Sequence, residues 1–214
     1  PKPRAVSIAQ VTELGAVYQP KELAVIGETC EDLGLYLHMD GARLMNAVVA
    51  SSVPAADFAA TVDSLWLDLS KGLGCPVGAV LAGTHEFIDE AWRWKHRVGG
   101  AMRQAGIIAA AGSWALANHV ERLAEDHDNA RQFAQRISAI PGVQLVNEDV
   151  QTNLVFFDVS GSRLSAQDIS VRLREQGVWI GAIDSERMRA VTHLDVNRDD
   201  VDEAADRLAE VING

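Results

Sequence analysis

From Ala5 to Gly83 the chain alternates short apolar runs with longer stretches at helical spacing, and that alternation leaves few architectures open. Ala5 to Val11 (AVSIAQV) is apolar and rich in β-branched residues, the pattern of a buried strand. Pro20 opens PKELAVIGETCEDLG, where Leu23, Ile26 and Cys30 recur at helical spacing and Gly34 stands as a C-terminal stop. Leu35 to Met39 (LYLHM) is the next strand, ending at Asp40-Gly41, and a second helix covers about residues 42–51. Asp63 to Leu69 (DSLWLDL) is a third strand, SKGLGCP follows it, and VGAVLAG is a fourth. Strands separated by helices require crossover connections, so the expectation is a mostly parallel sheet covered by helices. Such sheets bind ligands outside the carboxyl ends of their strands. Asp40 and Lys71 each stand just past one of those ends.

From about His85 to Ile140 the pattern is helical, broken only by Gly99-Gly100, and Pro141-Gly142 ends it. A different rhythm follows: QLVNED, NLVFFDV, a helix near residues 166–176, VWIGAI, MRAVTHLDV and a last helix over about residues 199–212. Strand pairs alternating with helices make a smaller α+β domain, which places a boundary near Pro141. The expected division is 1–140 for a large domain with its connecting helix, and 141–214 for a small C-terminal domain.

The 214 residues are 48% hydrophobic and 23% charged, ordinary fractions for a globular protein. A chain of this size buries roughly 70% of its unfolded surface and needs no disulfide framework to hold a core. Cys30 and Cys75 form no CxxC motif and fit a reducing cytoplasm. Lys and Arg number 19 against 30 Asp and Glu, a net charge of −11, which repels phosphate backbones and argues against nucleic acid as a partner. No apolar run reaches the ~20 residues that cross a bilayer. The chain opens on Pro1 with no secretory signal, and is expected to be a fragment or a processed form.

Lys71, in SLWLDLSKGLGCPVG, is an amine at a strand end beside two glycines, where the backbone can approach a ligand. An ordinary surface lysine opening a glycine turn reads the same way. A Walker phosphate loop is excluded, since Gly72 stands where Ser or Thr must follow the lysine. Asp40, in LYLHMDGARL, suits either a cationic ring nitrogen or the N-cap of the following helix. Arg43 and Arg189 are candidates for gripping a carboxylate in a planar fork, or for ordinary ion pairs. Arg189 lies inside an apolar run, where a lone charge is costly without an anion. The histidines do not cluster: His85, His119 and His127 read as solvated, His38 and His193 as structural, and no HxH or HExxH spacing suggests a metal. The Trp92-Arg93-Trp94-Lys95 run suits a helix at a subunit interface.

Taken in order, VTELGAVYQPKEL, LHMDGARLMNA, DSLWLDLSKGLGCPVGAVLAG, VGGAMRQAGIIAAAG, DHDNA, TNLVFF and RAVTHLDV resemble the low-specificity L-threonine aldolases along essentially the whole chain. The resemblance implies a fold-type-I, aspartate-aminotransferase-like enzyme dependent on pyridoxal phosphate, an αβα sandwich with a small C-terminal α+β domain. It also implies a cytoplasmic homodimer or homotetramer acting on a small amino acid. Lys71 matches the lysine that joins the cofactor covalently, and Asp40 the carboxylate paired with the pyridine nitrogen. Arg43 and Arg189 match the arginines that hold the substrate carboxylate, with Arg43 also close to the cofactor. Arg103, in GGAMRQAG, matches an arginine reaching the cofactor region from a neighbouring subunit.

The implied reaction is retro-aldol cleavage of threonine, allo-threonine and related β-hydroxy amino acids to glycine and an aldehyde. Family members begin with a longer segment that supplies the ring stacked on the cofactor, part of the phosphate loop and a histidine near the reacting hydroxyl. His96 stands where some relatives carry a lysine. Two alternatives remain open: a β-eliminating lyase on the same scaffold, and a truncated scaffold without turnover.

Overall fold

The computed structural model describes residues 2–214, which form two compact units. The first takes in the residues up to Glu13 together with Val17–Leu123; the second takes in Leu14–Ala16 and Ala124–Gly214.

The first unit is built on a four-stranded sheet in the order β1 (Ala5–Ala9), β2 (Tyr36–Gly41), β3 (Ser64–Asp68), β4 (Ala79–Gly83). The first three strands are parallel and β4 runs against β3, as expected for a mostly parallel sheet. Helix α1 (Pro20–Asp32) makes the crossover from β1 to β2. Its first turn is fixed by Pro20 and by Glu22, whose carboxylate accepts from the Gln19 N–H at 2.8 Å. Leu23 and Cys30, two turns apart, are its buried residues. Between β2 and β3 the chain forms α2 (Leu44–Ser51) and a short helix absent from the sequence expectation, α3 (Ala55–Ala59). Five residues give too little periodicity to read, yet α3 buries Phe58 completely.

Strand alternation sorts the sheet's two faces. Leu37, Met39 and Leu65 are buried on one. On the other, His38 pairs in register with Ser64 and Asp40 with Trp66, and His38 Nδ1 meets Ser64 Oγ at 2.9 Å. The expected helical stretch resolves into α4 (His85–Arg97), α5 (Gly106–Asn118) and α6 (Leu123–Ile137). The break at Gly99-Gly100 is present, and a second falls between Asn118 and Leu123, where no glycine or proline marks it.

The second unit pairs β5 (Gln144–Leu145), β6 (Leu154–Asp158), β8 (Arg187–Val191) and β7 (Gly181–Ala182) in that spatial order, all antiparallel. Its core joins Phe133 and Ile137 of α6, Phe157 of β6, Met188 of β8, Ile169 and Leu173 of α7 (Ala166–Glu175) and Leu208 of α8 (Arg198–Asn213). Helix α6 is what separates this division from the boundary at Pro141: its apolar face belongs to the second core. Two histidines differ from expectation. His127 is buried on α6, and His119 is half-buried with Nδ1 2.6 Å from the Leu73 carbonyl. Asp126 and Asp128 beside His127 are polar, but its ring lies on the inward side of α6; His119, just past α5, is turned onto the Leu73 carbonyl.

Candidate active site

Three parallel strands present their carboxyl ends at one edge of the first sheet, and the chain leaving each is tied down there. Gln10, just past β1, is fully buried and grips the segment after β2 by its backbone. Its N–H donates to the Asp40 carbonyl at 2.8 Å, and its carbonyl accepts from the Arg43 N–H at 3.1 Å. Its side chain closes a second loop on Tyr18, with Nε2 donating to the Tyr18 carbonyl and Oε1 accepting from the Tyr18 N–H. Nothing in the sequence singles out Gln10, because a glutamine beside a strand reads as surface.

Asp40 lies inside β2, half-buried, and its Oδ1 accepts from the Ala42 N–H at 2.9 Å. The residue at the N-cap of α2 is Arg43, so the capping role open to Asp40 is not the one it takes. Gly41, next to it, has no alternative: a Cβ there would overlap the carbonyl oxygen of Trp66 on the adjacent strand. Asp40 is thereby held against β3.

Trp66 connects the two principal candidates. It is the registered partner of Asp40, so both side chains leave the same face of the sheet. Lys71 is exposed, and its Nζ lies 5.9 Å from the centroid of the Trp66 ring. An amine near the indole and a carboxylate on the neighbouring strand thus meet at the carboxyl edge of a parallel sheet. The loop carrying Lys71 is closed by backbone bonds from Gly74 N–H to the Lys71 carbonyl and from Cys75 N–H to the Leu69 carbonyl, both 2.9 Å. Gly74 sits at φ +71°, a conformation the turn requires and other residues resist. Burial, and then the Asp68 carboxylate, push the Cys75 thiol above its usual range, so it stays protonated near neutrality.

The remaining candidates are three arginines. Arg43 is half-buried at the start of α2. Arg103 is exposed in the segment between α4 and α5. Arg189 belongs to the second unit, on β8, where Met188 and Ala190 are buried and Arg189 faces outward. The anion that a buried arginine would demand is therefore not required of it. It shares a surface depression with Trp179, Gly181, Ile183 and Val191.

Among the described residues, no group of three or more His, Cys, Asp or Glu is placed to hold a metal ion. The donors at the sheet edge suit a different group. An aldehyde carbon needs a primary amine, and a protonated pyridine nitrogen needs a carboxylate; Lys71 and Asp40 are side chains of those two kinds near Trp66, one 5.9 Å from its ring and the other its registered neighbour.

Known proteins resemble the chain along most of its length. Residues 1–160 match the family model described as beta-eliminating lyase. The low specificity L-threonine aldolase of Escherichia coli K12 is 41% identical over 91% of this chain and 56% of its own. Low-specificity L-threonine aldolase 1 of Arabidopsis thaliana is 38% identical over 82% and 49%. A crystal structure from Exiguobacterium sp. 255-15, described as a proposed aromatic amino acid beta-eliminating lyase/threonine aldolase, superposes with a TM-score of 0.79 at 25% identity. It covers 97% of this chain and 62% of that one. The chain spans about half the length of the curated relatives it matches. With a family model over residues 1–160 and a relative 41% identical over 91% of this chain, the chain belongs to the beta-eliminating lyase family and has the fold of its pyridoxal-phosphate-dependent members.

Proposed function

We propose that this chain carries the cofactor lysine and ring-nitrogen partner of a pyridoxal-phosphate-dependent aldehyde-lyase that cleaves L-threonine, L-allo-threonine and related β-hydroxy amino acids. The observation that carries the reading is the placement of Lys71 Nζ over the Trp66 ring, with Asp40 as the registered neighbour of Trp66. The threonine aldolases among its relatives give the substrate class.

Pyridoxal phosphate, when bound, supplies an electron sink for the Cα–Cβ bond that breaks. The chain's own residues do the rest. Lys71 Nζ is the primary amine that would hold the cofactor covalently through its aldehyde carbon. The Asp40 carboxylate keeps a proton on the ring nitrogen. Arg43 and Arg189 hold the substrate carboxylate, which orients the breaking bond. Arg103 serves a neighbouring subunit. The exposed Trp92, Trp94, Trp114 and Ile107 on α4 and α5 support assembly into a homodimer or homotetramer. The two free cysteines support a reducing, cytoplasmic setting.

The test is incubation with pyridoxal phosphate and either L-threonine or L-allo-threonine, followed by assay of glycine and acetaldehyde in equal amounts. Equal yields support the reading. The matching family description favours a second reading, β-elimination, and a 2-oxo acid with ammonia in place of glycine would establish it.

A further inference from the structure

Asp68 closes strand β3 on the same sheet face as Trp66, and it is 9% exposed. A buried carboxylate is costly unless donors fill its oxygens. Here they come from the two residues that lead the chain off the sheet. Oδ1 accepts from the Ser70 N–H at 3.2 Å and from Ser70 Oγ at 2.9 Å, and Oδ2 accepts from the Lys71 N–H at 3.1 Å. Leu69, between Asp68 and Ser70, is held by its own N–H on the Gly78 carbonyl at 3.1 Å. One side chain therefore sets the direction in which the backbone turns immediately before the lysine.

We infer that Asp68 is a positioning residue: its carboxylate folds Ser70 and Lys71 back over the strand end so that the amine rests above Trp66. This rests on Lys71 being the cofactor-linking lysine. The step it serves joins Lys71 Nζ to the aldehyde carbon of the cofactor and releases the aldehyde oxygen as water. A flexible lysine samples many directions, and fixing its backbone removes that freedom before the bond forms. Asp68 touches neither substrate nor cofactor and acts through Lys71.

Two measurements on the full chain test this in Asp68→Ala and Asp68→Asn. The first, without cofactor, is hydrogen exchange at the Ser70 and Lys71 amides. Exchange at both quickens at least about tenfold in Asp68→Ala, the size of a lost bond to a charged acceptor. Asp68→Asn, keeping one acceptor oxygen, restores protection at one amide only. The second is borohydride trapping of pyridoxal phosphate, with each modified lysine identified by peptide mass. Trapping at Lys71 slows about tenfold in Asp68→Ala while Lys21 and Lys95 in the same sample react as before. A fold that had merely loosened would not single out one lysine. Unchanged exchange at Lys71 in Asp68→Ala overturns the inference, as does slowing shared by all three lysines. If the unaltered chain traps nothing at Lys71, the cofactor reading fails, and the exchange measurement still decides whether Asp68 fixes the loop.

Discussion

At the scale of single residues, the site depends on how closely two strands approach. Gly41 permits the backbone of β2 to lie against the Trp66 carbonyl, and that approach puts Asp40 beside the indole. Gly41→Ala is expected to cost roughly 3 kcal/mol, because neither strand can move without breaking its ladder. Urea unfolding measures this, and a loss under about 1 kcal/mol contradicts the packing described. Asp40→Ala leaves the sheet intact but removes the charge proposed to hold the ring proton. Turnover with L-threonine should fall at least about a hundredfold, the loss typical when a preorganised charge is taken from a reacting centre. Unaltered kcat with unaltered KM would place the ring-nitrogen partner elsewhere.

Helices and strands carry their own consequences. Helix α8 begins with Asn197, whose side chain accepts from the Asp199 and Asp200 amides while the Asp200 carboxylate accepts from the Asn197 N–H. Asn197→Ala should lower stability by about 1 kcal/mol in the same unfolding assay. On α6, burial above all, with Arg131 second, lowers the pKa of His127 to about 4. The folded ring is neutral, while the unfolded chain takes up a proton near the ordinary value of 6.5. Stability linked to His127 is thus complete above about pH 6.5 and drains away as the pH falls toward 4, by up to about 3 kcal/mol. Urea midpoints across that range should drop further for the unaltered protein than for His127→Gln, and equal drops count against a buried neutral ring.

How much of this was legible in the sequence follows element by element. Strands β1 to β4 were visible because apolar runs bounded by Gly, Asp and Pro admit little else. Asp40 and Lys71 could be placed close to strand ends, Asp40 inside β2 rather than past it, but the roles proposed for them came only from the family resemblance. Phe58 on α3 was not, since one helical turn has no period to detect. Gln10 and Asp68 were hidden for another reason: their roles are bonds to loop backbone, and a polar residue next to a strand looks the same whether it faces water or a buried amide. Arg189 shows the converse. Apolar neighbours on a strand alternate faces, so they say nothing about the burial of the residue between them.

At the scale of the whole molecule, the two units are packed differently. The core of the second unit gathers residues from α6 to α8 around one antiparallel sheet. In the first unit, every residue of β4 is exposed and α4 buries none of its residues, while Trp92 and Trp94 stand in solvent. Among the described residues no helix is long and apolar enough to cross a membrane. Exposed aromatic surface of this kind supports the homo-oligomer proposed above. Sedimentation should show concentration-dependent association that weakens when Trp92 and Trp94 are both replaced by Ser. Equal, monomeric sedimentation of both proteins refutes that use of the surface.

The measurement that bears most directly on the account is the site of covalent attachment. Pyridoxal phosphate is added, borohydride fixes whatever linkage has formed, and peptide masses locate it. The expected result is a phosphopyridoxyl group on Lys71, accompanied by an absorption band that is missing from Lys71→Ala. Label scattered over Lys2, Lys21 and Lys95 with no preference for Lys71, and a band indifferent to the substitution, would contradict it.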